Sequence, residues 1–145
     1  MYRLLRIALL SLTALACLAA LASWLALRAS LPRRTGEAEL AGLDSNVRIE
    51  VDALGIPRIK ASSQLDALAA QGFVHAQDRF FQMDLTRRSA AGELAAMFGA
   101  VAIEFDSERR LQQLRKRARD LLARLPQRHR EQLERYAAGV NSGLA

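Results

Sequence analysis

The first strong pattern along the chain is an uncharged run from Ile7 to Leu27, 21 positions long. Coiled as a helix rising about 1.5 Å per residue, it extends about 31 Å, which matches the hydrocarbon thickness of a bilayer. Arg3 and Arg6 precede it, small-residue sites at Ala14/Ala16 and Ala20/Ala22 offer places for cleavage, and apolar sequence continues past both. Residues 1–28 therefore read as a membrane-targeting helix, either a signal anchor or a cleaved signal peptide. Arg28, Arg33 and Arg34 balance Arg3 and Arg6, so flanking charge does not set an orientation. The remainder is expected to be exported. If residues 7–27 stay in the inner membrane it faces the periplasm; if they are removed it is periplasmic.

Residues 29–45 contain Pro32, Gly36 and Gly42, show little periodicity and read as a linker. Asn46 to Asp52 then alternates, with Val47, Ile49 and Val51 on one side and Arg48, Glu50 and Asp52 on the other, which is the pattern of a half-buried strand. Leu54-Gly55-Ile56-Pro57 supplies a turn and Arg58 to Ala61 a second strand, so a hairpin is expected. Ser62 or Ser63 can cap a helix whose face carries Leu65, Leu68, Gly72, Ala76, Phe80, Met83 and Arg87, with Gly72 a candidate break or a point of close approach. A short helix is expected over Ala91 to Phe98, stopped by Gly99. Asp106 is a candidate cap for a helix striped by Leu111, Leu114, Ala118, Leu121, Leu122 and Leu125. Pro126 ends that helix and begins another, with Leu133, Tyr136 or Ala137, Val140 and Leu144 inward. These last two helices predict an antiparallel pair, or a coiled coil with a partner chain.

Such a chain is α+β, with one β-hairpin followed by several helices. A lone hairpin is marginal in water. Its open edges and apolar face predict either a partner chain or a longer protein of which this is the beginning.

Composition changes the picture modestly. The net charge is +6, from 21 basic and 15 acidic residues. Between Glu108 and Arg135, ten basic residues face four acidic ones, with Tyr136 the aromatic nearby. Groove-reading motifs and stacking aromatics are lacking, so the patch reads as a solvated helix face and no nucleic-acid partner is expected. Cys17 is the sole cysteine, which excludes an intrachain disulfide and a thiolate metal site.

Most catalytic templates are also absent. There is no Gly-x-Ser-x-Gly elbow, no glycine-rich phosphate loop and no histidine pair at metal-ligand spacing. His75 shares a helix face with Asp78 and Arg79, but no nucleophile stands beside it and it reads as structural. Asp78 and Arg79 diverge by about 100° on a helix. Asp78 suits backbone amides or an arginine such as Arg58 or Arg110, and Arg79 suits a carboxylate held bidentately. Together they read as a polar network fixing helix packing, or as the wall of an active site completed from elsewhere.

One long segment is far more specific than these fragments. Ile49-Glu50-Val51-Asp52, Gly55-Ile56-Pro57-Arg58-Ile59, Ala61 and Asp66-Ala67 lead into Gly72-Phe73-Val74-His75-Ala76-Gln77-Asp78-Arg79-Phe80-Phe81-Gln82-Met83-Asp84. Arg87-Arg88, Ala91-Gly92-Glu93-Leu94, Phe98-Gly99, Asp106 with Arg109 or Arg110, and Tyr136-Ala137-Ala138-Gly139-Val140-Asn141 continue it. This ordered set resembles the start of the α chain of the penicillin acylase (penicillin amidase) family, over residues 46–145.

The resemblance implies the N-terminal fragment of an αββα N-terminal-nucleophile hydrolase fold. It implies an amidase that cuts linear, non-peptide C–N bonds of acylated amines such as β-lactam antibiotics or acyl-homoserine lactones. In that family a precursor cuts itself, and the new N-terminal serine of the β chain attacks the amide while its own amino group takes the proton. The β-chain portion of the same precursor is thus the implied partner. The family's acyl pocket, its calcium ligand and its β chain have no counterpart in these residues. Ser45-Asn46 looks like the opening of that β chain, but it precedes the first strand and lacks the following tryptophan, so it is taken as coincidence. No catalytic, cofactor or metal role falls on this chain, and calcium is implied only for full-length members. The matched positions His75, Gln77, Asp78, Arg79, Gln82, Arg87, Arg88 and Gly92 are expected to shape the fold, and the chain alone is expected to be inactive. The rival reading from composition is a membrane-anchored helical adaptor without catalysis.

Overall fold

The computed structural model describes residues 2–31 and 35–144; Pro32, Arg33 and Arg34 of the expected linker lie outside them. The chain forms two compact units, Met1–Glu37 and Ala38–Ala145. In the first, α1 (Tyr2–Ala29) is one helix, and its stretch Leu9–Ala29 has a mean hydropathy of 2.0 over 21 residues. By length and composition it can cross a membrane, and its apolar side chains are exposed along its length.

In the second unit, β1 (Arg48–Val51) and β2 (Pro57–Lys60) pair antiparallel, with Ile49 opposite Ile59 and Glu50 opposite Arg58. The turn is built around Asp52. Its Oδ1 accepts the amides of Leu54 and Ile56, both at 2.9 Å, and Gly55 takes φ +79°, a conformation open to glycine without steric cost. Lys60 donates to both oxygens of Glu50 across the charged face, and this holds the Glu50 carboxyl below its ordinary range. Pro57, expected in the turn, instead opens β2 opposite Val51, at a strand start where its missing N–H is tolerated.

Helix α2 (Gln64–Ala91) starts where Ser63 Oγ accepts the amide of Asp66 at 3.0 Å. Gly72 does not break it. The interruption falls at Arg79, whose φ −147° and ψ 26° leave the helical region. Gly92 then ends α2 at φ +69°, with its amide and that of Glu93 returning to the Arg88 carbonyl, a Schellman-type stop. Because Gly92 stops α2 there, the short helix expected from Ala91 begins only at α3 (Ala95–Phe98). A single 3₁₀ turn, Gly99–Ala102, leads into α4 (Ile103–Gln112). Gln113, at φ +51°, separates α4 from α5 (Leu114–Arg124), and α6 (Gln127–Ser142) follows Pro126.

The main packing runs between α2 and α6 rather than between α5 and α6 as the leucine stripe predicts. Small residues make this seam. A Cβ on Gly139 would stand 1.8 Å from the Ala69 carbonyl oxygen, and one on Gly72 would stand 2.2 Å from the Tyr136 carbonyl oxygen. A Cβ on Gly143 would stand 2.7 Å from the Phe73 carbonyl oxygen and 2.8 Å from the Ala76 Cβ. The two backbones therefore touch, and the buried apolar set is small: Ala69, Ala70, Val74, Ala76 and Ala102. Leu111, Leu121 and Leu122, predicted inward, are exposed, and so are Leu133 and Leu144.

Candidate functional site

The long motif spreads over three places on the α2 scaffold. Nearest the seam, His75 Nδ1 and the Tyr136 hydroxyl share a hydrogen bond at 2.9 Å, with the rings edge to face at 71°. The pair ties α2 to α6 where both side chains are half-buried. Gln77, half-buried, and Asp78, exposed, occupy the next turn and both take part in polar interactions.

At the interruption, Arg79, Gln82, Met83, Thr86 and Arg87 line an open groove of about 490 Å³. Among the described residues Arg79 forms no ion pair, although the sequence suits it to a carboxylate. Phe80 and Phe81 are exposed beside it, Phe81 by 61%. One turn on, Asp84 gathers two arginines, Arg88 Nε to Oδ2 at 2.7 Å and Arg87 to Oδ1. Those hydrogen bonds, Arg88 first, hold the Asp84 carboxyl below its usual range against the cost of burial, and Asp84 raises Arg88 in return.

The third place is a knot at the end of α2. Asp106, 3% exposed, accepts the amides of Leu94 at 2.9 Å and Ala95 at 2.7 Å. It caps α3 across space. The expected cap at the start of its own helix does not form, because α4 already begins at Ile103. Arg110 Nε donates to the Gly92 carbonyl at 2.8 Å, and Arg115 grips Glu93 through both terminal nitrogens. Any Cβ on Gly92 would meet the Asp106 carbonyl oxygen at 2.5 Å, so glycine is required by both space and φ. Arg115 lowers Glu93, and Glu93 raises Arg115.

A fourth polar cluster was not singled out from sequence. Asp66 is 0% exposed and is the largest fully buried side chain. Its Oδ1 accepts the Asp44 amide at 2.8 Å, while Asp44 receives Arg135 Nη2 on both oxygens at 3.1 Å. The Asp44 amide and then Ser63 depress the Asp66 carboxyl, with burial opposing them. Asp66 and Arg135 thus fasten residues 38–45 to α2 and α6. The signal was present as Ser63-x-x-Asp66, a spacing in which the acid usually returns to the cap residue's own amide. Here it reaches a different segment.

Among the described residues no group of three or more His, Cys, Asp or Glu side chains is placed to hold a metal ion. Arginine–carboxylate pairs and an open groove thus lie along α2 and its C-terminal end.

The family model for penicillin amidase matches residues 46–145, which are the hairpin and everything after it. The chain belongs to the penicillin amidase family. It is 47% identical over 120 residues to a penicillin acylase 2 proenzyme of a Pseudomonas species, covering 83% of this chain and 16% of that one. An acyl-homoserine lactone acylase of Pseudomonas fluorescens is 42% identical over 115 residues, 79% of this chain and 14% of its own length. Among solved structures, a thermostable penicillin G acylase from Alcaligenes faecalis superposes with a TM-score of 0.60 at 31% identity, covering 67% of this chain and 52% of that one. The chain thus spans about a sixth or less of the curated relatives it matches. The helix-rich arrangement with a two-stranded sheet is similar to that penicillin G acylase.

Proposed function

We propose that this chain is the N-terminal part of an exported, acylase-type amide hydrolase with an N-terminal nucleophile. In this reading residues 1–28 target the membrane, 29–45 link, and 46–145 begin the catalytic domain. A further segment of the same precursor supplies the serine that attacks the amide carbonyl; its α-amino group passes the hydroxyl proton to the departing amine as the C–N bond breaks, and water then cleaves the acyl-serine ester to release the acid. Penicillin-type and acyl-homoserine-lactone-type amides are the substrate classes, since relatives named for each match 83% and 79% of this chain. Export into the periplasm, with or without retention in the inner membrane, is supported by the length and hydropathy of Leu9–Ala29.

The observation that carries this reading is the groove at the α2 interruption. It is lined by the motif residues Arg79, Gln82 and Arg87 and flanked by exposed Phe80 and Phe81. Burying such a face needs another element, and exposed aromatic clusters of this kind mark interfaces. The 145 residues alone are accordingly inactive.

The test is a chimera in which residues 46–145 replace the matched segment of the Pseudomonas penicillin acylase proenzyme. The chimera should mature into two chains and hydrolyse a phenylacetyl amide, while the 145-residue chain alone should not. A soluble, folded chimera that neither matures nor hydrolyses would refute the scaffold reading; hydrolysis by the short chain alone would refute the division of labour.

A further inference from the structure

A second concavity lies on the other side of the Gly92 knot, and the acylase reading makes no use of it. It has a volume of about 290 Å³ and is lined by Arg109, Arg110, Gln113, Arg115, Lys116 and Arg119, with Ala90, Ala91 and Leu114 as its apolar part. Five cations around one small cavity repel one another unless acids answer them. Of the carboxylates tied to this region, Glu93 answers one of the five cations and Asp106 answers none, which leaves four. Glu93 pairs with Arg115, and Asp106 is turned to the amides of Leu94 and Ala95. Arg110 hydrogen-bonds a neutral carbonyl, so its charge remains. Arg109 is held with its guanidinium 4.9 Å from the Phe105 ring centroid, which fixes its position without neutralising it. Among the described residues, Lys116 and Arg119 form no ion pair.

The backbone adds to the imbalance. Gln113 adopts the left-handed conformation, uncommon for a residue with a side chain, and this turns α5 away from α4 and opens the cavity. The first turn of α5 holds Arg115, Lys116 and Arg117, has no acid and has no side-chain cap. Cations at a helix start oppose the macrodipole, and a bound anion would relieve both. The exposed side chains of Leu111 and Leu121 belong to the same arm.

We propose that this pocket binds a phosphate-class oxyanion, with Arg109, Lys116 and Arg119 as its principal ligands. The same chemistry is offered by free inorganic phosphate and by the headgroup of an anionic phospholipid. Planar arginine forks suit such oxygens, and the lysine adds a point charge.

The test uses the full chain and the double variant Lys116→Ser/Arg119→Ser. Both side chains are exposed, and circular dichroism verifies that the variant retains its helices. Inorganic phosphate should raise the unfolding midpoint of the wild type above that in chloride of equal ionic strength, and the variant should lose this shift. Each cation removed should weaken phosphate binding by about tenfold, the scale of one charge-assisted hydrogen bond. Lys116→Arg should keep it. In the second arm, vesicles of phosphatidylcholine with and without phosphatidylglycerol are compared. Both proteins carry α1, and Arg124→Ser/Arg128→Ser removes two exposed cations outside the pocket, so a loss on the anionic vesicles beyond that of this control reports the pocket. Loss confined to the free-phosphate arm would assign a soluble anion, and loss on the anionic vesicles would assign the lipid headgroup. No phosphate-specific shift together with a vesicle loss no greater than the control's would overturn the proposal, and so would phosphate binding that survives in the double variant.

Discussion

The α2–α6 seam and the α4–α5 arm are made of opposite materials. The seam is glycine and alanine, and its backbones meet closely enough that a Cβ at Gly139 would lie 1.8 Å from a carbonyl oxygen. The arm is leucine and arginine, and Leu111 stays 84% exposed. Residues that look weakly hydrophobic therefore do the closing, while most of the arm's leucine stripe stays exposed. Proximity of backbones, rather than side-chain bulk, holds this unit together.

The comparison breaks most sharply at Gly139. Gly139→Val forces a branched side chain against the Ala69 backbone, and a loss of more than about 4 kcal/mol is expected in urea unfolding. A loss under 1 kcal/mol would show that the seam is looser than described. Next comes acidity. Asp66 has a folded pKa below its unfolded value, so the unfolded chain binds more protons in the intervening range. Its stabilisation is complete above the ordinary carboxylate pKa and is lost as pH falls through the folded value. Asp84 and Glu93 act in the same direction. Wild-type stability should decline on acidification below about pH 4, the ordinary aspartate range, and Asp66→Asn should flatten part of that slope. An unchanged slope would remove Asp66 from the latch.

Asp106→Ala leaves the Leu94 and Ala95 amides without their acceptor, with an expected cost of about 1–2 kcal/mol, typical of a lost helix cap. The arm should answer least. Leu111→Ser is expected within about 0.5 kcal/mol of wild type, as for exposed positions generally. A larger loss there would mean that the leucine stripe already has a cover.

The legible parts of the chain were those decided locally. Alternation at Val47 to Val51 and the turn at Leu54-Gly55-Ile56-Pro57 gave the hairpin, and Ser62-Ser63 gave the start of α2, because one or two neighbouring residues control each. The break in α2 was misplaced because Gly72 has two uses, flexibility and closeness, and only contact with Tyr136 selects the second. Sequence spacing assigns Asp106 to the cap of its own helix, since it cannot show that the carboxylate reaches back 11 and 12 positions. The predicted α5–α6 pair failed for a related reason. A leucine stripe states that something apolar is to be covered, without stating by what. Of the motif residues, His75 meets Tyr136 and Gly92 meets Arg110 at separations of 61 and 18 positions, which no local spacing announces.

The hydrogen bond between His75 and Tyr136 spans 61 residues of chain. At about 5–20 residues per second of synthesis, α2 therefore exists for about 3–12 seconds before α6 arrives to close against it. Throughout that interval its alanine and glycine face lies open, and the hairpin edges stand unpaired. The glycines that let the helices meet are also poor helix formers, so the early segment holds its shape weakly until its partner is made. Closure thus waits on the arrival of α6 rather than on local preference.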